Sequence, residues 1–260
     1  MGEKQVIFED LGRMDYRLAW DYQENLLQKN IDIKSEISKR AFEYAQNLDI
    51  SAGIQQFGQH LLQTTNHLLF VEHTPVYTLG KSGHIENLLI GEDEMRDKGI
   101  EFFKTNRGGD ITFHGPGQLV GYPILDLEKF GTDIGKYMRN LEEVIIRTLD
   151  AFCIKGYRST GETGVWIEPG IQGKERKIAA MGVRCSRWIT MHGFALNVNT
   201  DLAYFKNIVA CGIQDKLVTS MEKELGQQIA MESVKAKLKE NFSNVFDVDL
   251  VERERFVGNG

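Results

Sequence analysis

Two extended runs with almost nothing between them, residues 177–188 (KIAAMGVRCSRW) and 189–198 (ITMHGFALNV), constrain this chain more than any other feature. They read as neighbouring strands that close a hairpin, which commits the second half of the chain to antiparallel pairing. Residues 164–168 (GVWIE) read as a further strand there. Earlier, 4–10 reads as a strand, and 15–29 carries Tyr16, Ala19, Trp20, Gln23, Leu26 and Leu27 at helical spacing. The continuous apolar run 68–71 (LLFV) suits a strand buried on both faces, and Pro75 should interrupt pairing just after it. Residues 101–105 and 118–127 read as strands, 133–152 as the most regular helix with Thr132 or Asp133 as N-cap, and 231–242 as a packed helix. Strands and helices are mixed without strict alternation, so the fold class is α+β with a largely antiparallel sheet and flanking helices. Residues 30–65 are mostly polar with a weak helical pattern and read as an added segment.

Polar chemistry concentrates in residues 107–122 (RGGDITFHGPGQLVGY), where Arg107, His114 and Gln118 stand among five glycines. Glycine suits backbone that turns sharply or approaches a ligand, so this stretch reads as a binding-site loop. It is not a nucleotide loop: GxxxxGK[ST] is absent, and Gly115, Gly117 and Gly121 have one residue too many for GxGxxG. A net charge of -6 argues against a general nucleic-acid binder. No apolar run approaches the ~20 residues that cross a bilayer, which predicts a soluble cytoplasmic protein without a membrane partner.

The three cysteines, Cys153, Cys185 and Cys211, are far apart, and neither CxxC nor HExxH is present, so no disulfide framework and no metal site are expected. Without GxSxG a serine hydrolase is disfavoured as well. Cys153 reads as core at the end of a helix, and Cys185 as an ordinary strand cysteine although Arg184 and Arg187 flank it. Cys211, beside Gly212 in a loop, reads as accessible, with backbone N–H groups available for an oxyanion. From spacing alone Lys177 reads as a solvated surface lysine. Sharing an extended strand would hold it roughly 26 Å from Cys185, so only Cys211 could be brought to it by folding.

RGGDITFHGPGQLVGYPILDL, followed by GVWIE, KIAAMGVRCSRWITMHGFALNVNTDL and ACGI with a later Thr-Ser, resembles the lipoyl(octanoyl) transferases of lipoate biosynthesis. The resemblance spans about 68–220 in several blocks in the right order. It implies a single catalytic domain over 1–260, of the type shared by biotin and lipoate protein ligases. It also implies transfer of an octanoyl or lipoyl group from acyl carrier protein to a lysine of lipoyl domains or glycine-cleavage H protein, with no cofactor. By position the resemblance puts the nucleophile on Cys211 and the catalytic lysine on Lys177. It puts the substrate pocket on Arg107, Gly108, Gly109, His114, Gly182, His192 and Gly193, with His73 and Tyr77 from the segment EHTPVYTLG. Lys81 and Ser82 depart from the arginine-rich turn common there. Arg176, Arg184, Arg187 and Lys104 are candidates for docking an acidic carrier. An ATP-dependent lipoate ligase and a non-catalytic carrier-binding module are the competing readings.

Overall fold

The computed structural model describes residues 4–46, 62–209 and 217–253. The chain begins with β1 (Gln5–Met14) and a long helix α1 (Tyr16–Gln46), then enters β2 (His67–His73) and β3 (Val76–Leu79) on either side of Pro75. A short helix α2 (Glu92–Asp97) leads through β4 (Glu101–Lys104) and β5 (Ile111–His114) into β6 (Gln118–Ile124) and α3 (Ile134–Ala151). The second half runs β7 (Tyr157–Ser159), β8 (Glu162–Ile167), β9 (Arg176–Ser186), β10 (Ile189–Asn197) and β11 (Leu217–Val218). It closes with α4 (Met221–Leu225), α5 (Met231–Phe246) and β12 (Asp249–Glu252).

Among the described residues the large sheet runs β12-β1-β2-β6-β10-β9-β8-β7, with β11 added alongside β9. β1 pairs in parallel with both β12 and β2, whereas the path from β2 through β6, β10, β9 and β8 to β7 is antiparallel. The expected α+β class with a largely antiparallel sheet is therefore the observed one. The β9–β10 hairpin turns at Arg187 and Trp188, both at positive φ (49° and 65°), the handedness that a two-residue turn needs to match strand twist.

Each face of the sheet has its own core. On one, α3 and α5 pack Leu141, Val144, Ile145, Leu238 and Phe242 against Leu68, Phe70, Leu119 and Leu196. Asp133 caps α3 by accepting from the Lys136 N–H at 2.8 Å. On the other, α1 lays Ala19, Leu26 and Leu27 over Leu69, Val71, Tyr122, Ile189 and Met191. A second sheet, β4-β3-β5, has a small core of Tyr77, Leu79, Ile111 and Phe113, closed by Tyr204 and Phe205 of the 3-10 turn Leu202–Asn207.

Three local expectations change. The first helix does not end near Lys29; it continues to Gln46, because polar residues inside the supposed insert are fastened to the core. Asn30 is buried, and its amide bonds both the N–H and the carbonyl of Thr65 (2.9 and 2.8 Å). Lys34 reaches Asp126 at 2.6 Å and the Arg187 carbonyl at 3.0 Å. The rest of that segment, 47–61, lies outside the described residues. Cys153 is not core: α3 stops at Ala151, and the cysteine turns out at φ 61° into solvent. The glycine-rich stretch is only partly loop, since it contributes β5 to the small sheet and β6 to the large one.

Candidate active site

A cleft of about 790 Å³ opens between the small sheet and the α1 side of the large sheet. Its open end is lined by the exposed Ser82, His84 and Glu86 and by Thr163, its closed end by the buried Tyr16, Arg107, Tyr122 and His192. Lys177, Gly182, Gly193 and Asn197 lie along the β9–β10 wall. The hairpin and the glycine-rich stretch, far apart in sequence, thus meet across one space.

The glycines make that meeting possible. The Gly108 N–H donates to the Val183 carbonyl at 2.9 Å, which pins the stretch to β9. A Cβ on Gly182 would stand 2.6 Å from the Gly108 carbonyl oxygen, and one on Gly193 would stand 2.2 Å from that of Gly121. Both distances are shorter than real Cβ contacts, so these positions take glycine for close backbone approach. Gly109 lines the cleft at φ 88°, while Gly108 lies just behind it.

Arg107 is buried and spends part of its guanidinium on the protein. It donates to the Thr78 carbonyl (2.6 Å), the Thr78 hydroxyl (3.0 Å) and the Gly108 carbonyl (3.0 Å), so it braces β3 against the stretch. His114 contacts the same hydroxyl at 3.4 Å through Nε2, and Gln118 Oε1 at 2.8 Å through Nδ1. Gln118 donates onward to Asn197 (2.9 Å), and Asn197 to the Thr219 carbonyl (3.0 Å). The Thr219 N–H in turn donates to the Lys177 carbonyl at 3.0 Å. One hydrogen-bonded line therefore runs from the Arg107 stretch to the backbone that carries Lys177.

The remaining candidates separate. His192 lines the cleft from β10 at φ 58°, its N–H held by the Gln23 side chain (2.9 Å). His73 sits one layer behind, bonded to the Met14 carbonyl (2.9 Å) and the Tyr122 hydroxyl (2.7 Å), and packed on His114. Burial keeps it neutral, with its pKa pushed down to about 4. Tyr77 belongs to the small-sheet core, where its hydroxyl donates to the Tyr204 carbonyl at 2.8 Å; neither it nor His73 is among the residues lining the cleft.

Lys177 is half-buried rather than a solvated surface lysine, with Nζ 4.5 Å from the centre of the Trp166 ring. Cys185 shares β9 with it, and burial pushes that thiol's pKa up despite the flanking arginines. Cys211 lies outside the described residues. The described residues either side of its segment are tied to the cleft: the Val209 N–H donates to the carbonyl of cleft-lining Asn87 at 2.8 Å, and Val218 pairs with Lys177. Of the basic candidates, Arg176 is engaged by Glu168 and Glu224 (both 2.5 Å) and Arg184 by Glu24 (2.7 Å), while Arg187 donates to Ser35.

Sequence reasoning passed over Tyr16, which it assigned to a helix face. Tyr16 stacks on His114 at 6.0 Å with the rings nearly parallel, and burial pushes its phenol up to about 12. Asn106 and Glu24 were also missed. Glu24 stands between Gln23 and Asn25 on an amphipathic helix, where a carboxylate normally signals solvent. Among the described residues no cluster of His, Cys, Asp and Glu is arranged to hold a metal ion, and no helix is long and apolar enough to cross a membrane.

The chain belongs to the lipoyl protein ligase A/B catalytic domain family, whose model matches residues 15–243. Its curated relatives are more particular. It is 52% identical over 248 residues to a protein named octanoyltransferase from Christiangramia forsetii, covering 95% of this chain and 98% of that one. It is 53% identical over 249 residues to the octanoyltransferase of Flavobacterium psychrophilum, covering 95% and 99%. Solved structures share the fold at low identity. A bi-partite lipoate protein ligase from Thermoplasma acidophilum superposes with a TM-score of 0.65 at 16% identity, over 98% of this chain and 88% of that one. A lipoate-protein ligase A bound with ATP gives 0.62 at 15% identity, over 99% and 90%.

Proposed function

We propose that this chain is an octanoyltransferase of protein lipoylation, moving an octanoyl group from cytoplasmic acyl carrier protein to a lysine of lipoyl domains or glycine-cleavage H protein. The observation that carries the reading is Lys177. It lines the same cleft as Arg107, His114, Gly182, His192 and Gly193, and it is half-buried against Trp166. The names of the relatives support the acyl group transferred.

In this mechanism the Cys211 thiolate attacks the carrier thioester, forming a new S–C bond while the carrier's sulfur leaves and takes a proton from the Lys177 ammonium. The acceptor amine then attacks the Cys211 acyl-enzyme. An N–C bond forms, the Cys211 S–C bond breaks, and the amine proton returns to Lys177. Thioester to amide is downhill, so the transfer needs no ATP. The closed end of the cleft receives the acyl chain, and its open end faces the two protein partners.

Incubation with octanoyl-carrier protein, acid quench and peptide mapping tests the reading. An octanoyl adduct on Cys211 is the expected result, and acylation of Cys153 or Cys185 instead would overturn it. ATP-dependent use of free octanoate, with no transfer from the carrier, would replace it with the ligase reading.

A further inference from the structure

Two buried histidines, His114 and His192, line the cleft, and each is held by a primary amide whose own orientation is fixed by a neighbour that can only accept. One Glu24 carboxylate oxygen accepts from Asn106 Nδ2 (2.9 Å), Arg184 Nη1 (2.7 Å) and Trp20 Nε1 (3.3 Å). Asn106 must therefore turn its amide nitrogen to Glu24 and its oxygen to His192 Nε2, 2.7 Å away. The His192 proton sits on Nε2. Gln118 donates from its amide nitrogen to the Phe113 carbonyl (3.1 Å) and to Asn197 Oδ1 (2.9 Å), and Asn197 is oriented by donating to the Thr219 carbonyl. Gln118 Oε1 is left to accept from His114 Nδ1, so the His114 proton sits there.

The surroundings disfavour a second proton on either ring. His192 faces the Arg107 and Arg184 guanidinium groups, with Trp20 and Tyr122 against it. His114 faces Arg107, His73 and His192, with Tyr16 stacked over it. Burial above all, then these neighbours, pushes His192 down to about 3 and His114 well below the ordinary histidine value.

We propose that Asn106 and Gln118 are positioning residues that lock His192 and His114 as neutral imidazoles of opposite tautomer, so that neither adds a charge beside Arg107 where an acyl chain would lie and proton transfer is left to Lys177. The tautomers stand on the hydrogen bonds and the neutrality on burial beside Arg107; their purpose rests on the octanoyl-transfer reading. An imidazolium in the closed end would have to be desolvated by the chain that fills the cleft. Because burial and Arg107 disfavour a second proton, both rings are weak proton acceptors although both border the substrate space.

Long-range 1H–15N spectra of the 15N-labelled full chain between pH 5.5 and 8, assigned with single His→Gln variants, test the locking. His192 is expected as the Nε2–H tautomer and His114 as the Nδ1–H tautomer, neither changing with pH. The reverse tautomer, or titration of either ring in this range, would overturn the proposal. Asn106→Asp replaces the amide by a group that only accepts, so His192 should take up the imidazolium pattern. KM for octanoyl-carrier protein should rise about tenfold with kcat changed less, recovering as pH is raised. A neutral His192 in that variant, or an imidazolium with unchanged KM, would overturn it. Native tautomers as expected in a chain that transfers no octanoyl group would instead count against the functional reading.

Discussion

The two faces of the large sheet solve opposite problems with the same strands. Under α3 and α5 the packing is mostly apolar, from Leu68 and Phe70 to Phe242 and Phe246, with Glu142 and Thr148 the buried polar residues of α3. The α1 face is apolar only around Leu69, Ile189 and Met191, and then gives way to a cleft bordered by Arg107, His114, Gln118, His192 and Asn197. β6 shows the division residue by residue, sending Leu119 to the first face and Val120 and Tyr122 to the second. Because side chains alternate, a slip of one residue would exchange the two sets, so the apolar face fixes the register in which the polar face is assembled. One face holds the larger apolar core, and the other can spend backbone approach and buried polar groups on a site.

The sharpest way to break this division is on the apolar face. Phe242 is fully buried and stacked on Phe246 at 4.5 Å, and Phe242→Ala should cost about 3–5 kcal/mol in denaturant unfolding while specific activity per folded molecule stays unchanged. Lys177→Ala should do the reverse, lowering octanoyl transfer by about 10²–10⁴ with only a small change in the unfolding midpoint. Near-normal turnover would remove the lysine from the mechanism.

Acid should undo the cleft face first, because its histidines are buried neutral. In the folded protein the pKa of His73 is lowered from 6.5 to about 4 and that of His192 to about 3. Below pH 6.5 the unfolded chain binds protons that the folded chain refuses, so their contribution is complete above that pH and declines as pH falls toward 4 and 3. For His73 the loss across its window is about 3 kcal/mol, readable as a falling urea midpoint between pH 7 and 4, and Phe242→Ala should leave that slope unaltered. The mildest perturbation is Gly182→Ala. Its methyl would meet the Gly108 carbonyl at 2.6 Å and Arg107 Cδ at 3.2 Å, which should raise KM for the acyl donor severalfold at a stability cost of about 1–3 kcal/mol.

What could be read from sequence followed apolar pattern and glycine. The hairpin, the strand 68–71 and the helix capped by Asp133 were legible because burial on a regular period writes itself in residue type. The cleft wall was legible in part, since glycines beside Arg107 and His114 signal close approach. The reach of α1 to Gln46 was hidden, because Asn30 and Lys34 face inward through polar pairing and no hydrophobic period records it. Tyr16, Asn106 and Glu24 were hidden for a related reason: their roles lie in contacts between distant segments, such as Asn106 bridging α1 to β10. Cys153 failed in the other direction, because helical periodicity was extended two residues past the helix end.

One pairing also governs when this protein can become itself. Gln5 lies beside Asp249, and β1 is held between β2 on one side and β12 on the other. During synthesis the first strand emerges long before its outer neighbour exists, so that edge stays unpaired until nearly all the described chain has been made. Such long-range closure is slow, and an unpaired edge invites other strands. Loss of β12 should therefore appear first as poor yield of soluble protein, with the chemistry of any molecules that do fold left largely intact.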